Sequence, residues 1–204
     1  MATMPISSAS LEAAQILDRL ERLARREEHA NRLNPAQWEA LRYLARANRF
    51  SRTPAALAEY LAATRGTISR TLASLEAKGL VARDASARDG RSIDLALTAE
   101  GQSAVRSDPL LVLAADIEAA TRGNQAALVE CLRQMLRNAI ARNAGRAFGA
   151  CSGCRHFRPQ RRPGARAPHH CALLDQPLSE ADSHAICVEM EARADRGGAA
   201  AEAR

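Results

Sequence analysis

Apolar side chains recur every three or four residues near both ends of the first 145 residues, which predicts long amphipathic helices there. The first helix is predicted over residues 9–32 and two more over residues 110–121 and 124–143. The first has no helical partner close to it in the sequence. We therefore expect it to pack against the later helices or against a second subunit.

Short polar signals divide the middle of the chain into three further helices. Asn34 precedes a proline and stands three residues before Gln37, which is the spacing of a capping box. Thr53 and Thr64 can cap two more helices, and Gly79 suits the left-handed end of the last one. Their predicted inward residues are Trp38, Leu41, Leu44, Ala45, Leu57, Tyr60, Leu61, Ile68, Leu72, Leu75 and, as a weaker candidate, Ala73.

A β-hairpin is predicted after these helices. Residues 80–83 form a short strand candidate, and residues 92–97 alternate polar and apolar side chains. Asp89 and Gly90 form a tight-turn pair between them. Helix, turn, helix and a two-stranded ribbon is the plan of a winged helix-turn-helix, so we predict a mainly α fold that reads DNA through one helix.

Composition and charge agree with this prediction without proving it. The 204 residues are 47% hydrophobic and only 3% aromatic, which favours packed helices, and no apolar run is long enough to span a bilayer. The N-terminus has no signal-peptide pattern, so a cytoplasmic location is expected. The net charge of +6 suggests an anionic partner, although Lys78 as the only lysine also indicates a general arginine bias.

The order and spacing of several motifs resemble the MarR family of regulators over roughly residues 10–142. The likeness begins with residues 57–61, 64–70 and 75–83, which resemble the paired helices of that family. The wing segment over residues 88–92, followed by residues 95–101, resembles its most specific signature. This resemblance implies a homodimeric transcription regulator, expected to be a repressor, that binds a pseudo-palindromic double-stranded DNA operator.

Six side chains are the predicted DNA contacts. Four of them lie on the predicted helix after Thr64, which would be the recognition helix that enters the major groove. They lie opposite its apolar face, where arginines can reach guanine edges or phosphates. Those of the wing flank the tight turn, where an arginine suits a narrow minor groove. The six residues are Arg65, Thr67, Ser69, Arg70, Arg88 and Arg91.

Four of the five cysteines lie beyond the resembling part of the chain, at Cys151, Cys154, Cys171 and Cys187. One CxxC pair and two single cysteines in a protein without a secretion signal suggest metal ligation before disulfides. The spacing resembles that of high-potential iron–sulfur proteins, which implies a 4Fe–4S cluster. A 2Fe–2S cluster, a Zn²⁺ ion and a redox dithiol remain alternatives.

The histidines among these cysteines are expected to lie around the metal site or in solvent rather than to bind the metal. Cys131 is expected to be a core or interface residue. Domains are predicted at residues 1–33, 34–101 and 102–145, with an irregular cysteine-rich segment at 146–191 and a disordered tail at 192–204.

The leading hypothesis is a regulator whose iron–sulfur cluster senses redox state, oxygen or iron. The alternative is a ligand-responsive repressor with a structural zinc site. A thiol oxidoreductase is disfavoured because no α/β pattern surrounds the CxxC pair, and no enzyme is expected.

Overall fold

The computed structural model describes residues 6–30, 33–86, 92–143, 145 and 148–193. Its first two-thirds contain seven helices and one hairpin in the described ranges, so the predicted mainly helical winged-helix arrangement is confirmed. The elements are α1 (Ser8–Ala30), α2 (Pro35–Arg46), α3 (Pro54–Tyr60), α4 (Arg65–Ala77), β1 (Val81–Ala85), β2 (Ile93–Leu97), α5 (Ala99–Arg106), α6 (Leu110–Thr121) and α7 (Gln125–Arg142).

The predicted capping residues begin the helices of the DNA-binding unit. The Asn34 side chain accepts the Gln37 N–H at 2.9 Å, and Gln37 Oε1 accepts the Asn34 N–H at 3.1 Å. Thr53 caps α3 and Thr64 caps α4 in the same way, each accepting a backbone N–H three residues on. Gly79 then ends α4 with a φ of 69°, a conformation that only glycine adopts at little cost.

The core of the winged helix lies between α2, α3, α4 and the hairpin. Its fully buried side chains are mostly leucines, which supply the apolar burial that the few aromatic residues do not. Two predicted core residues, Ala45 and Ala73, are exposed, because each lies on the flank of its helix. The residues buried at the centre are Leu41, Tyr43, Leu44, Leu57, Leu72, Leu75 and Leu95.

The hairpin is antiparallel, with Val81 opposite Leu97. The N–H of Leu95 also donates to the Arg52 carbonyl at 2.7 Å, so the connection between α2 and α3 lies beside β2. Helix α5 approaches this unit closely at Gly101. A Cβ built on Gly101 would lie 2.0 Å from the Leu80 carbonyl oxygen, so this position requires glycine.

Helices α1, α6 and α7 carry apolar side chains that the single chain leaves exposed. Within the described ranges, α6 and α7 contain no buried residue. None of the described helices is both long and apolar enough to cross a membrane. The exposed large apolar side chains of these three helices are Leu11, Ile16, Leu17, Leu20, Leu23, Leu110, Leu111, Val112, Val129, Met135 and Leu136.

The segment over residues 148–193 is more regular than predicted. Its elements are too short to produce a detectable hydrophobic period, which is why the sequence suggested an irregular segment. Strand β3 pairs antiparallel with β7, and β4, β5 and β6 form a second small sheet. The elements are β3 (Gly149–Ala150), a 3₁₀ turn (Cys151–Gly153), β4 (Phe157–Arg158), β5 (His169–Cys171), β6 (Gln176–Leu178), α8 (Glu180–His184) and β7 (Ile186–Cys187).

Candidate nucleic-acid interface and cysteine centre

Three of the predicted DNA contacts lie on the solvent face of α4. Arg65, Ser69 and Arg70 are exposed, opposite the buried Ile68 and Leu72. Neither Arg65 nor Arg70 makes an ion pair or hydrogen bond with any other residue that the structure describes. Both guanidinium groups are therefore available to an external anion.

Thr67 has a different environment from the other three. Its backbone N–H donates to Thr64 Oγ at 3.2 Å, and the two hydroxyl groups lie 3.0 Å apart. Thr67 therefore belongs to the cap of α4 and would offer DNA only a shared hydroxyl. Its direct role in DNA contact stays a prediction, as do those of the other residues.

The two wing arginines, Arg88 and Arg91, lie outside the described residues. The described part of the hairpin remains paired as far as Ser86, whose N–H donates to the Ser92 carbonyl at 3.0 Å. A groove of about 440 Å³ separates the start of α3 from α4 and β2. It is lined by Thr53, Pro54, Ala55, Arg65, Ile68, Ser69, Ser92 and Ile93.

The four C-terminal cysteines come together in one cluster. Cys151, Cys154 and Cys187 are buried, and the half-buried Cys171 packs against them. The 3₁₀ turn places Cys151 and Cys154 side by side, since the Cys154 N–H donates to the Cys151 carbonyl at 2.9 Å. Strand pairing supplies the others, with Cys171 opposite Phe157 and Cys187 opposite Gly149.

Hydrogen-bond donors surround the sulfur atoms. Asn48 Nδ2 donates to Cys151 Sγ at 3.4 Å, and the Glu191 N–H donates to Cys154 Sγ at 3.5 Å. The pKa of Cys187 is lowered to about 6, chiefly by a hydrogen bond from the Cys151 thiol. Burial opposes this shift, while the Asn48 side chain, the Glu189 backbone N–H and the Ser51 hydroxyl reinforce it.

The Cys151 thiol has the opposite shift. Its hydrogen bond to Cys187 raises its pKa, and burial raises it further. The two shifts favour the thiolate form of Cys187 over that of Cys151. Since thiolates are the form of cysteine that binds metals, the donors around Cys187 favour its use as a ligand.

A complete metal-ligand set is not preformed. In the ranges that the structure describes, no group of three or more His, Cys, Asp and Glu side chains is placed to hold a metal ion. The predicted four-cysteine metal site stays a prediction.

Each histidine of this segment lies beside a carboxylate. The pairs are His156 with Glu191 at 3.1 Å, His169 with Glu180 at 2.7 Å, His170 with Asp175 at 3.1 Å and His184 with Glu180 at 3.3 Å. Cys131, on α7, is exposed in the single chain.

The sequence did not reveal that the cysteine segment packs on the winged helix. Ile186 and Val188 are buried in the winged-helix core, on either side of Cys187. Phe148 packs edge-on against Tyr60 with ring centres 5.0 Å apart, and Tyr60 in turn contacts Tyr43. The one available signal was the apolar side chains at 186 and 188, which are spaced as on one face of a strand.

Residues 33–92 match the model of the MarR family. No curated protein sequence matches the chain. Among solved structures, a variant of MepR from S. aureus is similar with a TM-score of 0.52 and 21% identity, over 66% of this chain and 99% of its own. The S. aureus MepR–DNA complex has a TM-score of 0.50 and 20% identity, over 65% and 96%. BldR from Sulfolobus solfataricus has a TM-score of 0.50 and 21% identity, over 66% and 99%.

At these identities the structural likeness concerns the fold. Each match spans almost the whole of the other chain but leaves about a third of this one uncovered. Residues 33–92 are therefore similar to the MarR family, and the structural likeness shows the winged-helix fold that those structures share.

Proposed function

We propose that this protein is a homodimeric transcription regulator that binds double-stranded DNA, and that its four C-terminal cysteines form a metal centre that modulates the binding. The observation that carries the first part is the exposed face of α4. Arg65 and Arg70 have no described partner there, and they lie on the helix that enters the major groove in winged-helix proteins. The structurally similar S. aureus MepR has been solved in complex with DNA.

Dimer formation is supported by the apolar faces of α1, α6 and α7. A monomer would leave these side chains in water, where burial of apolar surface is worth about 25 cal/mol per Å². A second copy of the same chain can cover them with an identical face, as two-fold symmetry requires. Two α4 helices would then meet successive major grooves about one helical turn apart.

Arginine variants test the DNA-binding part. Arg70→Ala is expected to cost about 1–3 kcal/mol at a specific site and little on random DNA if Arg70 reads a base. Arg91→Ala is expected to weaken binding and to lower the slope of log K against log salt by about 1 if Arg91 neutralises a phosphate. The control is Arg133→Ala, which removes an exposed arginine of α7. Unchanged affinity in both variants, measured by fluorescence anisotropy at two salt concentrations, would contradict the proposed interface.

The metal centre is supported by the chemistry of the cysteine cluster. Three buried thiols and the half-buried thiol of Cys171 belong to one cluster, and N–H donors from Asn48, Glu189 and Glu191 face its sulfur atoms. Such donors stabilise thiolates, and in metal sites they help to orient the ligands. This combination of clustered thiols and N–H donors supports a common metal ion or cluster.

The identity of the metal divides into two candidates. The cysteine spacing favours the 4Fe–4S cluster. A single Zn²⁺ ion is the alternative, because zinc binds four thiolate sulfurs tetrahedrally at about 2.3 Å. We therefore place the iron–sulfur cluster first and zinc second.

Metal analysis separates these candidates. Protein purified with and without oxygen is analysed for zinc, iron and acid-labile sulfide. One zinc per chain in a colourless solution supports the single ion, whereas iron with sulfide in a brown solution supports the cluster. Cys171→Ser is expected to lower the bound metal of either kind, and Cys131→Ser serves as the control that should retain it. Wild-type protein without any metal would refute the proposed centre.

A further inference from the structure

We infer that Asn48 and Ser51 are positioning residues of the cysteine centre, and that they transmit its state to the DNA-reading elements through the connection between α2 and α3. This inference rests on the proposed metal centre and names the route by which that centre acts. The covalent link from α7 to the cysteine segment is the competing route.

Asn48 holds the centre through a fixed amide. Its side chain is only 2% exposed. Its Oδ1 accepts the Phe50 N–H at 3.1 Å, which leaves the NH₂ group to face Cys151 Sγ at 3.4 Å. The backbone N–H of Asn48 donates to the Ile186 carbonyl at 2.8 Å, next to Cys187. Asn48 therefore contacts the cysteine centre at two places, the turn that carries Cys151 and the strand that carries Cys187.

Ser51 provides a second, independent tie. It is fully buried, and its Oγ accepts the N–H of Val188, the residue after Cys187, at 2.9 Å. Its carbonyl accepts the Tyr43 hydroxyl at 2.6 Å, so the residue is anchored in the winged-helix core. A displacement of Cys187 cannot leave Ser51 in place without breaking one of these bonds.

The two residues lie in the connection between α2 and α3, next to the brace helix α3 and to one strand of the wing. The Arg52 carbonyl accepts the Leu95 N–H of β2 at 2.7 Å, and Thr53 caps α3. Residues 61–63 connect α3 to Thr64, the cap of α4. The path from the cysteine cluster to the wing strand or to the brace helix is therefore the short stretch over residues 48–53, in which Asn48, Phe50 and Ser51 are buried. Small shifts in such packed connections are transmitted because they cannot be absorbed by a gap.

The competing route is the covalent link from the end of α7 at Arg142 to Phe148. The Gly145 N–H in that stretch donates back to the Ile140 carbonyl of α7 at 3.0 Å. A signal along this link would reach the DNA-reading elements through the dimer helices or through the contact of Phe148 with Tyr60 of α3. The two routes can be separated because an insertion in the link leaves Asn48 and Ser51 intact.

The experiment uses the full-length protein with Co²⁺ as the metal probe. Thiolate-to-cobalt absorption reports loading, and fluorescence anisotropy gives the DNA affinity of the cobalt-loaded and the metal-stripped forms. Wild type is expected to show at least a ~5-fold difference between the two forms, the lower end of typical couplings. Asn48→Asp, which keeps the size of the side chain but removes the N–H donor, and Ser51→Ala are expected to load cobalt with an altered absorption band and to reduce the difference below ~2-fold.

Two matched controls accompany these variants. A Gly-Ser-Gly-Ser insertion after Gly145 lengthens the competing link, and Arg46→Ala removes an exposed arginine at the end of α2, two residues before Asn48. Both are expected to retain the wild-type difference. Loss of the difference in the insertion variant, or its persistence in both Asn48→Asp and Ser51→Ala, would overturn the inference. A wild type that neither loads cobalt nor changes affinity would instead refute the proposed centre itself. Because Ser51→Ala removes only one hydroxyl, it keeps the test decisive if Asn48→Asp does not fold.

Discussion

At the residue scale, an ion pair between a half-buried arginine and a buried aspartate joins the winged helix to α6, one of the helices of the proposed dimer interface. Arg42 on α2 contacts Asp108 through two hydrogen bonds of 2.7 and 2.6 Å, and Asp108 also accepts the Leu110 N–H at 2.8 Å. Asp108 is 8% exposed. Its carboxylate thus begins α6 and fixes that helix to α2, so it couples the DNA-reading unit to the helices that would dimerise.

We predict that Asp108→Ala lowers the free energy of unfolding by about 1.5–3 kcal/mol, because the half-buried Arg42 loses its charged hydrogen-bond acceptor and the Leu110 N–H loses its cap. Urea unfolding at pH 7 measures this change. The control is Glu130→Ala, which removes an exposed carboxylate paired with Arg137 and should leave stability nearly unchanged, because water screens such a pair. Equal changes in the free energy of unfolding would show that the Arg42–Asp108 pair stabilises the protein no more than an exposed ion pair does.

The same pair predicts a pH dependence. Burial alone would raise the pKa of Asp108, but the hydrogen bonds from Arg42 and Leu110 hold it below its ordinary value of 3.8. A lowered carboxyl pKa stabilises the folded state above the unfolded pKa, and that contribution disappears as the pH falls through the lower folded pKa. Wild type should therefore lose stability faster than Asp108→Ala as the pH decreases below about 5. Parallel losses would contradict this assignment.

At the element scale, close packing of α5 against the chain before β1 depends on one glycine. We predict that Gly101→Ala destabilises the protein by about 1–3 kcal/mol, because its methyl group would overlap the Leu80 carbonyl and neither backbone can move freely. Gly66→Ala is the matched control in another helix, since nothing lies within 4 Å of a Cβ placed there. Its stability should stay within about 0.5 kcal/mol of wild type. Thermal unfolding of both variants checks the difference, and a tolerant Gly101 would show that α5 adjusts.

The elements that the sequence predicted well are those specified locally. Asn34, Thr64 and Gly79 mark helix ends through bonds to residues only a few positions away, so their roles are visible in the sequence. The small strands around the cysteines were not predicted, because two or three residues carry no period and their pairing depends on partners distant in the chain. The contact of Asn48 with Cys151 was missed for the same reason, since a buried amide gives no local signal of its partner.

At the whole-molecule scale, the apolar faces of α1, α6 and α7 predict a stable dimer. Leu20→Asp combined with Leu136→Asp should dissociate or unfold the protein, because both side chains belong to the exposed apolar set and charge cannot be buried there without a partner. Leu173→Asp introduces the same charge at an exposed leucine of the cysteine segment and should leave the dimer intact. Sedimentation at micromolar concentration distinguishes these outcomes. A folded wild-type monomer would contradict the proposed assembly.

In vitro selection from a library of random DNA duplexes tests the central claim, a dimer that reads DNA through two α4 helices, most directly. The account predicts enrichment of an inverted repeat whose half-site centres lie about 10 base pairs, one helical turn, apart. Affinity for the selected duplex should exceed that for random DNA by at least about 10³-fold, and the excess should fall in Arg70→Ala. Selection that yields no enriched sequence, or a single unpaired half-site bound equally well, would contradict the account.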